Sequence, residues 1–187
     1  MQTFLPYADF ARSAASLDDK RLGKQRVETY QVLLQLCGIR MVDFPEWEPR
    51  MGGWRHPVMR MWAGHELSLL AYQDATCGEW EARGFQDTCR DKSHLAVDLV
   101  RQSDWSTEPP PWLGRESLHM THRSNLVWKD PAFYGQRFPD DLPEHPTVEA
   151  EYWEYEWPAS EWDLVSRMTE NWNVALSRFQ GLSTSER

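Results

Sequence analysis

LDDKRLGKQRVETYQVLLQL, residues 17–36, is the stretch that decides the fold class. Lys20, Arg21, Lys24 and Arg26 place four basic residues within seven positions, and one acid, Glu28, closes the run. Ser16 is an N-cap type, with Asp19 three residues on as an acidic form of the capping box. Leu22, Leu33 and Leu36 recur on one broad helical face, with Val27 and Leu34 extending its buried side on a flank. Thr29 interrupts that repeat, and Gly38 is a stop signal. The pattern predicts a helix over Leu17–Leu36. Gly23 inside it costs about 1 kcal/mol against Ala and leaves room for another helix or a ligand to approach closely.

The rest of the chain reads the same way. Residues 40–55 are a loop containing MGGW, and Pro57 suits the first position of a second helix, predicted over Pro57–Arg83 and ending at Gly84. Gly64 and Gly78 interrupt its pattern. Further helices are predicted over Lys92–Arg101, Glu116–Trp128 and 162–179, with a helical turn at Pro131 capped by Asp130. Ser106–Pro111, with three consecutive prolines, is an extended linker or turn. Long β-branched alternations are absent. The expected fold is all-α: one compact domain of about four to six packed helices with long connecting loops. Residues 1–139 form its helical body, and 140–187 supply an acidic segment and a C-terminal helix packed on the same domain.

Composition narrows the function. The 187 residues carry a net charge of -9, but nine acids and no base lie between Asp140 and Asp163. Without that stretch acids and bases balance, so local basic clusters can still steer a polyanion. The acidic stretch itself is either a solvated surface, a protein-binding face or a cover over the basic groove. Cys37, Cys77 and Cys89 lack CxxC spacing and read as reduced thiols of a cytoplasmic protein. No apolar run approaches the roughly 18 residues of a membrane span, and MQTFLPYADF lacks the pattern of a signal peptide. Glycine-rich nucleotide loops and a G-x-S-x-G elbow are absent.

At about 100° per residue, Arg21, Lys24, Gln25 and Glu28 share one helix face, and Arg26 sits elsewhere. One reading is an exposed i,i+4 pair between Lys24 and Glu28, worth about 0.2–0.5 kcal/mol. The other is a carboxylate in a cationic field that faces a phosphate backbone, with Glu28 moving a proton or stabilising a developing positive centre. Arg55 and His56 precede a helix start. His65 is either a partner of Glu28 or a core histidine. In HMTHRSNLVWKDPAFY, residues 119–134, His122 and Arg123 offer hydrogen bonds to phosphate or sugar. Arg123 and Lys129 can track a backbone, and Phe133 and Tyr134 can stack on a base or pack in the core. His119 and His122 lack an acidic third ligand at a diagnostic spacing, so no metal or other cofactor is expected.

LDDKRLGKQRVE, GWRHPVMRMWAGHE, EWEARGF and HRSNLVWKDPAFYG together resemble the pyrimidine dimer DNA glycosylase (phage-type endonuclease V) family, in a bacterial branch that opens with MQTFLP. The resemblance covers most of residues 1–139. It implies an all-helical enzyme that removes one base of a cyclobutane dimer in double-stranded DNA and then cleaves the strand by β-elimination. It assigns sugar stabilisation to Glu28, phosphate contacts to Arg21 and Arg26, and a DNA-side aromatic segment to residues 128–135. Val27 stands where the family has an arginine. The family nucleophile is an α-amine exposed by Met removal; Gln2 disfavours that removal, so the amine falls to Met1, with Lys24 or Lys20 as substitutes. Base excision is therefore the expectation, and abasic-site lyase activity depends on an amine. The alternatives are a non-catalytic DNA-binding helical protein and a protein-binding regulatory domain, the latter using the 140–163 face.

Overall fold

Leu17 leaves one helix and leads into the next. The computed structural model describes residues 2–38, 56–141, 155–158 and 164–184. Within them α1 is Phe10–Ser16, α2 Asp19–Leu36, α3 Pro57–Trp62, α4 Glu66–Ala82, α5 Arg90–Val100, α6 Glu116–Lys129, α7 Pro131–Tyr134 and α8 Leu164–Thr184. A single 3-10 turn, Pro139–Asp141, follows α7. The chain is all-α and forms one domain, with no strand among the described residues. The expected helix number is corrected, because eight α-helices stand among these residues where four to six were predicted.

Two local effects account for the excess. The first is α1, only seven residues long, whose N-terminus is capped by Asp9 accepting from Arg12 N–H at 2.7 Å. Ser16 ends this helix, its hydroxyl bonded to Ser13 O, and so does not cap α2. Asp18 is the cap, accepting from Arg21 N–H at 2.9 Å. The second is a break in the helix predicted over Pro57–Arg83. Gly64 takes φ +78°, and its N–H donates to Glu66 Oε1 at 3.2 Å, which ends α3 and starts α4 in a new direction. Gly78 stays within α4. The C-terminal helix extends beyond its predicted end to Thr184.

The core has two parts. Leu33, Leu36, Met59, Trp62, Leu69, Tyr72 and Trp112 are among the buried residues of the larger one, where α2, α3, α4, α5 and α8 meet. Trp62 and Trp112 are fully enclosed and packed edge-to-face, with ring centroids 4.9 Å apart. Phe4, Leu17, Leu22, Leu126, Tyr134 and Phe138 belong to the second. Gly23 lies against α4, where a Cβ would come within 3.0 Å of the Trp80 ring, so the close approach is made by a helix. Leu34 packs on the core flank, but Val27 is 41% exposed and does not join it.

The C-terminal helix is tied in by polar groups. Arg167 on α8 makes two hydrogen bonds to the Glu66 carboxylate, at 3.1 and 3.2 Å, and both residues are buried. Asn171 donates to Leu36 O at the end of α2. All three cysteines are free and buried, as expected for reduced thiols. No helix among the described residues is long and apolar enough to cross a membrane.

Candidate active site and nucleic-acid face

The first residues of the chain run extended between α2 and α6, where nearly every backbone polar group must find a partner away from water. Gln25 on α2 supplies two. Its Oε1 accepts from Phe4 N–H at 2.7 Å, and its Nε2 donates to Gln2 O at 2.6 Å. The Tyr72 hydroxyl lies 2.8 Å from Phe4 O and 2.7 Å from Gln25 Oε1 and shares its proton between them. From α6, His122 Nδ1 accepts from Leu5 N–H at 3.2 Å, His119 Nδ1 donates to Leu5 O at 2.8 Å, and Arg123 donates to Pro6 O at 3.0 Å. Trp62 Nε1 holds the Thr3 hydroxyl at 3.0 Å.

This clamp delivers the chain's start to Glu28. Gln2 N–H donates to Glu28 Oε2 at 3.1 Å, and Gln25 Nε2 lies 3.4 Å from the same oxygen. The other oxygen, Oε1, is 3.4 Å from Lys24 Nζ. The Glu28 side chain is 13% exposed and that of Lys24 is 71% exposed, so the carboxylate sits at the floor of a surface and the ammonium at its rim. Its charge is felt nearby. Burial, and then the charge of Glu28, push the Tyr72 hydroxyl well above its usual range.

The histidine pair is fixed by its hydrogen bonds. His119 uses Nδ1–H on Leu5 O and accepts Gly114 N–H on Nε2 at 3.1 Å. His122 accepts on Nδ1, so its proton is on Nε2. Burial first, and the neighbouring His119 second, push His122 down to about 3. His56 caps α3, accepting Val58 N–H on Nδ1 at 3.3 Å. Burial lowers its pKa, against a smaller opposing pull from Glu28. Among the described residues no group of three His, Cys, Asp or Glu side chains is arranged to hold a metal ion.

The cations divide into two sets. Arg21 is bonded to Asp18 at 2.5 Å and lies 3.8 Å from Asp130. Burial alone would raise the Asp18 carboxyl; hydrogen bonds from Tyr134 and Arg21 outweigh it and hold the group below its ordinary value. Lys129, exposed at the end of α6, is lowered by burial and then by the charges of Arg21 and Lys24. Arg21, Lys24 and Lys129 thus share one field. Arg26 belongs to the other set. It is buried, ion-paired with Asp87, and lies 4.4 Å over the Trp80 ring, toward α4.

Several other predicted site residues prove to be internal. Tyr134 is fully buried, its hydroxyl donating to Asp18 Oδ2 at 2.6 Å. Arg123 is 9% exposed, committed to Pro6 O and to Glu116 at 2.5 Å. His122 is fully enclosed. Tyr134 and Arg123 hold the scaffold under the site. Met1 and Arg55 lie outside the described residues. Gln2, Tyr72 and the clamping role of Gln25 were missed, because their partners are distant along the chain and follow no periodic pattern.

The described fold and site define an all-helical protein whose own first residues are held against a carboxylate on a partly basic helix. Residues 1–93 match the family model described as pyrimidine dimer DNA glycosylase, and over that stretch the chain is homologous to this family. The match supports a general DNA-repair glycosylase role. It contains Gln2, Gln25, Glu28 and His56 and stops before α6. No curated protein and no solved structure matches the chain.

Proposed function

We propose that this protein excises a damaged pyrimidine from duplex DNA by breaking its C1′–N bond. The observation that carries the reading is Gln2 N–H on Glu28 Oε2 at 3.1 Å, at the end of a clamp that leaves the chain's start no other course. As the base departs, positive charge develops on the deoxyribose, and a fixed carboxylate at that point stabilises it. Arg21, Lys24 and Lys129 hold the phosphates on either side. His56 lines the same site.

The chain's start supplies the amine. If Met1 is retained, covalent geometry keeps its α-nitrogen within about 4 Å of Gln2 N; if Met1 is removed, the Gln2 nitrogen is itself the amine. An α-amine titrates near about 7.7–8.0, so a neutral fraction exists near pH 7. Its lone pair attacks C1′, the glycosidic bond breaks, and the base leaves with the electron pair and takes up a proton. Opening of the sugar ring then gives an imine, from which loss of a C2′ proton expels the 3′ phosphate. Lys24 Nζ, beside the other oxygen of Glu28, is the second candidate amine.

Borohydride reduction in the presence of a duplex carrying a thymine dimer tests both steps. A covalent adduct is expected, and mass mapping of its peptide separates the N-terminus from Lys24. Glu28→Gln is expected to lower excision by about a hundredfold or more with DNA affinity nearly kept, the size seen on losing one transition-state contact. Unchanged excision in Glu28→Gln would sink the assignment. A wild type that binds damaged DNA and never excises would leave the non-catalytic binding reading.

A further inference from the structure

Tyr155, Glu156, Trp157 and Pro158 come from the acidic stretch, beyond the family match, and lie across the candidate site. The Tyr155 ring packs on His122, centroids 5.1 Å apart, and the Trp157 ring meets His56 edge-on at 5.5 Å. The two rings contact each other at 5.6 Å. Between them, Glu156 N–H donates to Thr121 Oγ1 at 3.3 Å, and its carboxylate lies 3.9 Å from Arg115. The sequence of groups is ring, anion, ring, laid on imidazoles, a hydroxyl and an arginine. A nucleic-acid strand presents the same order as base, phosphate, base.

The fit is incomplete in a telling way. His122 Nε2 and the Tyr155 hydroxyl are both buried, and neither has a hydrogen-bond partner among the described residues. His122 Nε2 carries a proton, as its Nδ1 bond requires, so a donor is covered and left unused. An occupant with carbonyl or phosphate oxygens would give both groups a partner. The Glu156–Arg115 contact is long and partly exposed, with side-chain exposures of 30% and 54%, and holds the segment weakly. The charge of Arg21 opposes the upward pull of burial on the Tyr155 hydroxyl.

We propose that the face formed by His56, Arg115, Thr121 and His122 is a nucleic-acid-binding surface, and that Tyr155–Pro158 occupies it in place of DNA. Entry of DNA exchanges the two rings for bases and Glu156 for a phosphate. The occupant is taken as DNA because of the function proposed above. Affinity is then reduced by the fraction of time the segment sits in place.

The full chain tests this by fluorescence anisotropy with a labelled duplex, damaged or undamaged. Tyr155→Ala/Trp157→Ala is expected to bind roughly tenfold more tightly than wild type, as when a state that is nine-tenths closed is released. A gain cannot come from misfolding. Thr121→Cys/Glu156→Cys provides the converse, tethering the segment to α6 by a disulfide; the native cysteines are all buried. The oxidised form is expected to lose DNA binding and the reduced form to regain it. Weaker binding in the folded double-alanine variant overturns the proposal, showing that the rings grip DNA. So does a tethered protein that binds normally, or a released one that binds no DNA but captures another ligand. Excision is scored separately: wild type that excises while these variants leave affinity unchanged retains the proposed function and loses only this inference.

Discussion

Gln25 is fully buried on α2, and its amide closes the N-terminal clamp at both ends. Replacing it by Leu leaves Phe4 N–H and Gln2 O unpaired inside the protein, at about 1–3 kcal/mol each. Gln25→Leu is expected to lose roughly 2–6 kcal/mol in urea unfolding and, because the chain's start is released from Glu28, to lose excision more than DNA affinity. Equal excision in a folded variant would refute the link between clamp and chemistry. His122 makes a second prediction. Unfolded, it titrates near about 6.5; folded, it is pushed down to about 3. Between these values only the unfolded chain takes up the proton, so stability falls on acidification, by at most about 1.4 kcal/mol per pH unit. Above the upper value His122 has no effect. Unfolding midpoints between pH 7.5 and 5, above the carboxylate range, should flatten in His122→Asn, and parallel curves for the two proteins would refute the assignment. The pairing of Glu28 with Lys24 was legible, because the i,i+4 spacing on one helix brings the two together. The clamp was not: Gln25 and His122 are ordinary polar residues until the fold brings residues 2–6 between them.

At the scale of elements, glycines separate what the sequence can say from what it cannot. Gly64 and Gly78 occupy equivalent places in one apolar repeat, yet Gly78 remains helical while Gly64 turns left-handed. The difference lies in the Glu66 carboxylate, which accepts Gly64 N–H and is itself held by Arg167, a hundred residues on. The short α1 had no chance of declaring itself, since seven residues make fewer than two turns of any period. The helix α2 was legible because Leu22, Leu33 and Leu36 recur on one face over several turns despite the interruption at Thr29. Gly38 was read as a stop, and it has a second duty. It sits at φ +68°, and a Cβ there would lie 2.9 Å from Trp172 Cβ and 3.0 Å from the Trp172 backbone on α8. Gly84, at φ +88°, has nothing within 4 Å of the same position. Gly84→Ala should therefore cost only the left-handed backbone, about 1–2 kcal/mol. Gly38→Ala should cost more, because α8 must shift as well. Equal losses for the two variants in denaturant unfolding would remove the close contact from the account.

For the whole molecule, the question is whether the helix furthest along the chain belongs to the same cooperative unit as the site. Its Arg167 reaches Glu66 at the α3–α4 break, and Arg167 also lies 4.8 Å over the Trp105 ring. Both charges are buried, so the pair fixes geometry more than it adds stability; desolvation offsets much of the attraction. Removing one partner is another matter. Arg167→Met strands a buried carboxylate and is expected to cost about 3–5 kcal/mol. Adding Glu66→Gln should recover a large part of that loss, since the amide oxygen can still accept Gly64 N–H and no charge is left behind. The break between α3 and α4 sets the heading of α3, whose cap is His56 at the site. The single variant should therefore also weaken DNA binding from a distance, and the double variant should restore it. If α8 were an independent appendage, Arg167→Met would give an early partial transition by circular dichroism while the hydrogen-exchange protection of α2 and α4 amides around the larger core stayed at its wild-type level. Coincident shifts of both signals are the expected result, because the same carboxylate orders the break and receives the C-terminal helix.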